Sequence, residues 1–181
     1  MNEGLVELIN NLQNKVGQLE AALAVVVAEL SDETILVRRR KLSEDCIYPT
    51  QAHDTDAGHD LYAIEDVSLP FGRPVKVKTG LSLQLPQGYY CSIRDRSGLG
   101  SKGIHTLGGV IDCEYTGEYC VLLVNLNKHN PFSSADPVYK ISKGEKIAQL
   151  VFAKVPSVIY LDEDFEETKR GDKGFGSSDK V

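Results

Sequence analysis

The chain has 181 residues and a mass of 19.9 kDa, the size of one ordinary domain with room for a short appendage. Hydrophobic residues make 41% and charged residues 25%, the balance of a soluble globular protein rather than a disordered one. Twenty Lys and Arg stand against 26 Asp and Glu, a net charge of −6, which argues against a nucleic-acid coat or an anionic-membrane binder but still allows a small phosphate ligand on a few local cations.

From Leu5 to Leu30 there is no proline, and apolar residues recur at alternating spacings of four and three. Ile9, Val16, Leu23 and Leu30 fill heptad position a, and Leu5, Leu12, Leu19 and Val26 fill position d. A helix over this stretch is roughly 40 Å long, and Ser31 and Asp32 can end it. The stripe suits either an amphipathic helix lying on its own domain or a coiled coil joining subunits, and the unbroken register favours the second. Val6, Leu8, Val25 and Val27 widen it beyond a dimer's needs, towards more than two strands or an added protein partner. Residues 1–31 are thus read as a separate heptad helix. The acidic, amidic start is neither a signal peptide nor a presequence, and no apolar run approaches the ~18–20 residues of a membrane helix. A cytoplasmic location, or a host's cytoplasm for a viral chain, is the expectation.

Residues 32–167 read as a β domain. Runs rich in Val, Ile, Leu and Tyr alternate with Gly, Pro, Asn and Asp turns. The predicted strands are Thr34–Leu42, Asp60–Ala63, Pro74–Lys78, Gly80–Leu85, Tyr89–Arg94, Gly109–Ile111, Tyr119–Leu126, Val138–Ser142 and Lys146–Tyr160. No helical pattern separates them, so a parallel α/β sheet is excluded in favour of a sandwich or barrel. Cys46, Cys91, Cys113 and Cys120 lack C-x-x-C spacing and read as reduced thiols. His129–Pro137 reads as an exposed loop, and residues 168–181 as a mobile Gly-rich arm with one isolated aromatic, Phe175.

Four segments could carry chemistry. Gly98-Leu-Gly-Ser-Lys-Gly103 formally matches G-x-G-x-x-G, but no long helix follows it, so a dinucleotide fold is rejected. What remains is a turn with Arg94, Arg96, Ser97 and Lys102 beside glycines, either a solvated polar turn or an anion cradle. In Gly108-Gly-Val-Ile-Asp-Cys-Glu-Tyr-Thr-Gly-Glu118, Asp112 ends a strand. It is either a turn-initiating residue or a fixed carboxylate in reach of a water, as a general base requires. Tyr115 and Gly117 then form a hairpin tip. Asp56 and Asp60 bracket Gly58, which suits metal-bound water networks or simple capping, and Gln149 sits polar inside an apolar run.

Together these segments resemble the five motifs of the trimeric dUTP diphosphatases (dUTPases). The matches are Ala57-Gly-His-Asp-Leu61, Arg96-Ser-Gly-Leu-Gly100, Gly109-Val-Ile-Asp-Cys-Glu-Tyr-Thr-Gly117, Gly144-Glu-Lys-Ile-Ala-Gln-Leu150 and Arg170-Gly-Asp-Lys-Gly-Phe-Gly-Ser-Ser178, in family order. The resemblance implies a mainly β, jelly-roll-like subunit in a homotrimer with active sites at its interfaces, and Mg²⁺-dependent hydrolysis of dUTP to dUMP and pyrophosphate. That reaction keeps uracil out of DNA and supplies dUMP for dTMP synthesis. It implies that Asp112 activates a water for attack on the α-phosphorus and that Tyr115 lies against the deoxyribose, excluding UTP by a clash. Backbone groups of a hairpin around Gly109, Val110 and Ile111 would read uracil. Arg96, Ser97, Gly98 and Gln149 would hold phosphate oxygens. Asp60 would touch Mg²⁺ through water, the substrate phosphates being its main ligands. Phe175 would stack over uracil while Arg170, Gly176, Ser177 and Ser178 close over the triphosphate.

The chain departs from the family pattern at Thr106, where many relatives place Asn near the base, at Lys173 and Asp179 in the arm, and in the length of the His129–Pro137 loop. Two rival readings are a dCTP deaminase on the same fold, for which Glu114 or Glu118 would serve, and a nucleotide-sensing platform that recruits a partner through the helix. The Asp112 and Tyr115 pattern with a complete arm favours hydrolysis.

Overall fold

The heptad stretch forms one helix, α1 (Glu3–Leu30), in the computed structural model of the chain, which describes residues 3–30, 34–127, 137–164, 166–169 and 171. Ala, Leu, Glu, Gln and Lys dominate it, all strong helix formers. Every described side chain of α1 is exposed, Leu19 and Leu23 by 70% and 64%, so its apolar stripe is not spent on the body of its own chain.

The rest of the described chain is strands and turns, as expected. The strands are β1 (Arg38–Lys41), β2 (His59–Tyr62), β3 (Val67–Pro70), β4 (Val75–Val77), β5 (Leu81–Gln84), β6 (Tyr89–Arg94), β7 (Ile104–Leu107), β8 (Val110–Asp112), β9 (Val121–Asn125), β10 (Val138–Ile141) and β11 (Lys146–Lys154). A single helical turn, α2 (Ser97–Gly100), follows β6. The strands pair antiparallel in four sheets: β1 with β5, β3 with β10, the order β4-β9-β7, and the order β2-β11-β6-β8. They enclose one core of Leu61, Leu69, Leu81, Leu123, Ile147 and Leu150 with their neighbours. Each such leucine contributes about 2 kcal/mol on leaving water. A bulge in β11 between Lys146 and Ala148 lets the consecutive Ile147 and Ala148 both be buried.

A buried polar residue joins the layers. Asn125 is fully buried, and its amide donates to the carbonyls of Leu69 (3.0 Å) and Pro137 (3.1 Å). Its Oδ1 accepts from the backbone and side chain of Asn127 (3.0 and 2.7 Å), so the burial cost is met by hydrogen bonds.

The structure revises several sequence expectations. The strand expected over Lys146–Tyr160 ends at Lys154, because Pro156 lacks the N–H a ladder needs. Beyond it, Val158, Ile159, Tyr160 and Leu161 stand 59–91% exposed. β3 and β7 were not among the predicted strands: β3 is short and ends on Pro70, tolerated because it pairs with β10 alone. The hairpin expected around Gly109–Ile111 is absent. β7 pairs with β9, β8 pairs with β6, and the chain changes sheet at Gly108-Gly109. The Tyr115–Gly117 tip likewise becomes a turn between two sheets. The 129–136 part of the long loop and the arm residues Arg170, Phe175, Gly176, Ser177 and Ser178 lie outside the described residues. Among the described residues no helix is long and apolar enough to cross a membrane.

Candidate active site

Three of the sequence motifs place strands in one sheet, β2, β11 and β8, with β6 between the last two. Asp60, Gln149 and Arg94 stand opposite one another in one row, so their side chains share a face. Tyr90 and Asp112 face each other on that same side, four residues back along β6. The opposite face carries Leu61, Leu150, Ile93 and Cys91 into the core.

At the first row the residues form a polar pocket lined by Asp56, Ala57, Gly58, Asp60, Arg96, Ser97 and Gln149. Arg96 has an extended backbone, and its carbonyl accepts from Leu99 and Gly100 to start α2. The amides of Ser97 and Gly98 therefore lie before the helix ladder begins. Arg96 Nε donates to Asp60 Oδ1 and Lys146 Nζ to Asp60 Oδ2, both at 2.7 Å. Burial acts to raise the Asp60 pKa, but the hydrogen bonds from Lys146 and Arg96 outweigh it and hold the carboxyl below its ordinary 3.8. The same bond raises the Lys146 pKa. Gln149 Nε2 donates to the Asp95 carbonyl at 2.8 Å. Its Oε1 lies against Gly58, where an added Cβ would come within 1.9 Å, so only glycine lets the amide lie there.

Asp95 was not singled out from the sequence, yet it ties this pocket to β7. Its Oδ1 accepts from the Thr106 amide (2.7 Å) and hydroxyl (2.6 Å), and Oδ2 meets His105 Nδ1 at 2.5 Å. Burial acts to raise its pKa, and the Thr106 bonds overcome that and lower it. Thr106, a substrate-binding candidate from the sequence, is held by Asp95 through its amide and hydroxyl and is not among the residues lining either pocket in the single chain. The available signal for Asp95 was an acid directly preceding the basic Arg96 turn. That for Lys146 was a cation on the strand that carries Gln149.

Both carboxylates are stabilised by being charged in the folded state. Their contribution is complete above the unfolded pKa and disappears as pH falls through the lower folded values. Thermal stability is expected to be flat with respect to these groups down to about pH 4 and to fall below it. Asp60→Asn should flatten that acid limb in a series of melting curves, and an unchanged limb would count against the linkage.

The second pocket is more apolar, lined by Ile93, Leu107, Gly108, Gly109, Val110, Ile111, Asp112 and Tyr115, with Lys76, Tyr119 and Leu122 behind. Gly109 is essential to its shape: its φ is +98°, and a Cβ there would lie 2.7 Å from the Ile93 carbonyl. Its carbonyl accepts from the Ile93 amide at 2.7 Å. The Tyr115 amide donates to the Asp112 carbonyl (3.1 Å) and its hydroxyl to the Glu118 carbonyl (3.0 Å). The Tyr115 ring packs 5.9 Å from that of the buried Tyr119. Ser82 Oγ holds the Thr116 carbonyl at 2.8 Å, so the turn between Asp112 and Glu118 is braced on β5. Asp112 itself is exposed, and among the described residues no cation or hydrogen-bond donor engages its carboxylate.

Asp60, Arg96, Ser97 and Gln149 are thus gathered in one pocket, with Gly98 next to them on α2, and Gly109, Val110, Ile111, Asp112 and Tyr115 in the other. The pockets share no residue. Four residues along β6 and two strand spacings across put Asp112 about 16 Å from Gln149 within one chain. Among the described residues no cluster of three His, Cys, Asp or Glu is placed to hold a metal. Asp60 keeps spare lone pairs beyond its two ion pairs and fits a contact to a metal-bound water better than direct ligation.

A dUTPase family model matches residues 44–179. A deoxyuridine 5'-triphosphate nucleotidohydrolase of Thermobifida fusca is 37% identical over 161 residues, covering 86% of both chains. One of Paramecium bursaria Chlorella virus 1 is 39% identical over 142 residues, 77% of this chain and 94% of its own. Among solved structures, a dUTPase of Staphylococcus bacteriophage 80alpha with dUpNHpp superposes with a TM-score of 0.68 at 29% identity, over 80% of this chain and 99% of that one. A dUTPase of phage phi11 of S. aureus, described with a structural Mg(II) ion, has a TM-score of 0.62 at 28% identity, over 71% of this chain and 97% of its own.

Proposed function

The chain belongs to the dUTPase family and hydrolyses dUTP, and from that premise we propose a mechanism in which two half-sites from different copies of the chain meet around one substrate. The observation that carries it is the separation of the pockets. A base and a phosphate cradle about 16 Å apart cannot act on one phosphorus atom within one chain. Neighbouring copies in a homotrimer bring the nucleoside pocket of one against the phosphate pocket of the next. The exposed apolar run Val158–Leu161 supports this, since a lone chain leaves it uncovered.

In this mechanism Asp112 accepts a proton from a water aligned for in-line attack on the α-phosphorus, and dUMP and pyrophosphate leave. Tyr115, braced by Glu118 and Tyr119, holds a flat wall against the deoxyribose that leaves no room for a 2′-hydroxyl. Backbone groups of Gly109, Val110 and Ile111 at the sheet change read uracil. Arg96, Ser97, the Gly98 amide and Gln149 take phosphate oxygens, with Arg96 held in aim by Asp60. Arg170, Phe175, Gly176, Ser177 and Ser178 close over the bound nucleotide. Asp60 would hold Mg²⁺ through a bound water, with the substrate phosphates as its main ligands, and the ion would supply charge neutralisation on the triphosphate. The cytoplasmic role is to keep uracil out of DNA and to supply dUMP for dTMP synthesis.

The test is pyrophosphate release from dUTP, dCTP, dTTP and UTP, with Mg²⁺ and with EDTA. Mg²⁺-dependent release from dUTP alone is expected. Equal turnover of UTP would overturn the role of Tyr115, and ammonia release from dCTP would move the chain to the deaminases.

A further inference from the structure

We propose that α1 is a self-association element: three copies pack in parallel, in register, as a coiled coil between copies of this chain. The copy number rests on the trimeric body proposed above; the parallel seam rests on the helix alone. Leu5, Ile9, Leu12, Val16, Leu19, Leu23 and Val26 line one stripe and are 45–70% exposed in the single chain. The stripe keeps a heptad period over a helix of 28 residues. Such a repeat is self-complementary, since each knob needs a hole made by the same residues of a second helix.

The charges beside the seam say which way the copies run. With Ile9 at position a, Lys15 falls at g and Glu20 at e of the next heptad. In a parallel, in-register bundle, g of one helix meets e of its neighbour five residues on, so Lys15 of each copy faces Glu20 of the next. An antiparallel bundle at full overlap sets g against g and e against e, which puts Lys15 opposite Ala22 and Glu20 opposite Gln13. Only a register shifted by one heptad, at the cost of core layers, brings Lys15 to Glu29. The pair cannot form within one helix, because residues five apart lie on opposite flanks of the stripe.

The remaining flanking positions argue for more than two strands. Val6 and Val27 occupy e and Leu8 occupies g, each 43–55% exposed, and a dimer seam does not bury them. The core positions are mixed and do not set the copy number by themselves. β-Branched Ile9 and Val16 at a with Leu12 and Leu19 at d is a two-stranded pattern, but Leu23 at a with Val26 at d inverts it.

The test is sedimentation equilibrium and thermal melting of the full chain over a dilution series. The variants are Leu19→Asp, Lys15→Glu, Glu20→Lys and the double variant K15E/E20K. Leu19→Asp should raise the concentration at which trimers dissociate by at least about tenfold. Each single charge reversal should raise it by about two- to threefold, and the double variant should return it to the wild-type value. Turnover of dUTP at protein concentrations where every variant is trimeric should be unchanged, which separates this inference from the catalytic reading. A Leu19→Asp chain that dissociates and melts like wild type overturns the helix's role. A double variant no better than the singles overturns the parallel register. A wild-type chain that is not trimeric overturns the copy number, and assemblies larger than three that Leu19→Asp reduces to trimers would mean that α1 joins one trimer to another.

Discussion

Asp112→Asn is expected to fold, to bind dUTP, and to release pyrophosphate at least about a thousandfold more slowly than wild type. The size of the effect follows from what the site offers in place of this carboxylate. Asp60 has Arg96 on one oxygen and Lys146 on the other. Asp95 holds Thr106 and His105. Both have lowered pKa values, hence weak basicity, and both are committed to holding the scaffold. Asp112 is exposed at the end of β8, and among the described residues its carboxylate has no partner. Asn has the same shape and can still touch a water, but it cannot take its proton. The loss should therefore fall on kcat and leave KM within a few-fold. Asp60→Asn should do the reverse, raising KM as Arg96 loses its anchor. A variant Asp112→Asn within tenfold of wild-type kcat would remove Asp112 as the base.

How far the sequence reached depended on the kind of physics involved. α1 was legible because its period is local, and the bounds over Tyr89–Arg94 were legible because the strand is apolar with turns on both sides. β3 and β7 were not, because four residues with a terminal proline or a mixed pattern carry too little local signal. Their identity comes from pairing with β10 and β9, far away in sequence. The grouping of the motif residues came from the resemblance, not from their local pattern. Nothing in their order says that Arg96 and Gln149 share a pocket that Asp112 does not enter, since that follows from the register of β11 and β8 on β6. The hairpin around Gly109–Ile111 was likewise implied by the resemblance rather than by a local signal, and the pairing of β7 with β9 and of β8 with β6 carries the chain to another sheet there instead. Asp95 was passed over because its importance lies in a hub of contacts, two of them ten and eleven residues on and a third made through its carbonyl by Gln149.

Mixing two inactive chains should restore activity. Arg96→Ala empties the phosphate pocket of its guanidinium and leaves Asp112 intact; Asp112→Asn does the opposite. If each active site lay within one chain, every site in a mixture would carry one lesion and the mixture would stay inactive. With half-sites from neighbouring copies, a site is whole when its phosphate pocket comes from an Asp112→Asn chain and its nucleoside pocket from an Arg96→Ala chain. In equimolar, randomly assembled trimers that combination occurs at about one quarter of the sites, so turnover should rise from near zero to about a quarter of wild type. Subunits must exchange for this to happen, so the chains are best unfolded and refolded together, and separately refolded chains mixed afterwards supply the control. The same mixture reads the role of α1. With Leu19→Asp added to both chains, exchange of folded trimers should be faster and the quarter of activity should appear without refolding. Recovery absent after co-refolding, from chains shown to form trimers, would return Asp112 and Arg96 to separate tasks and overturn the shared site.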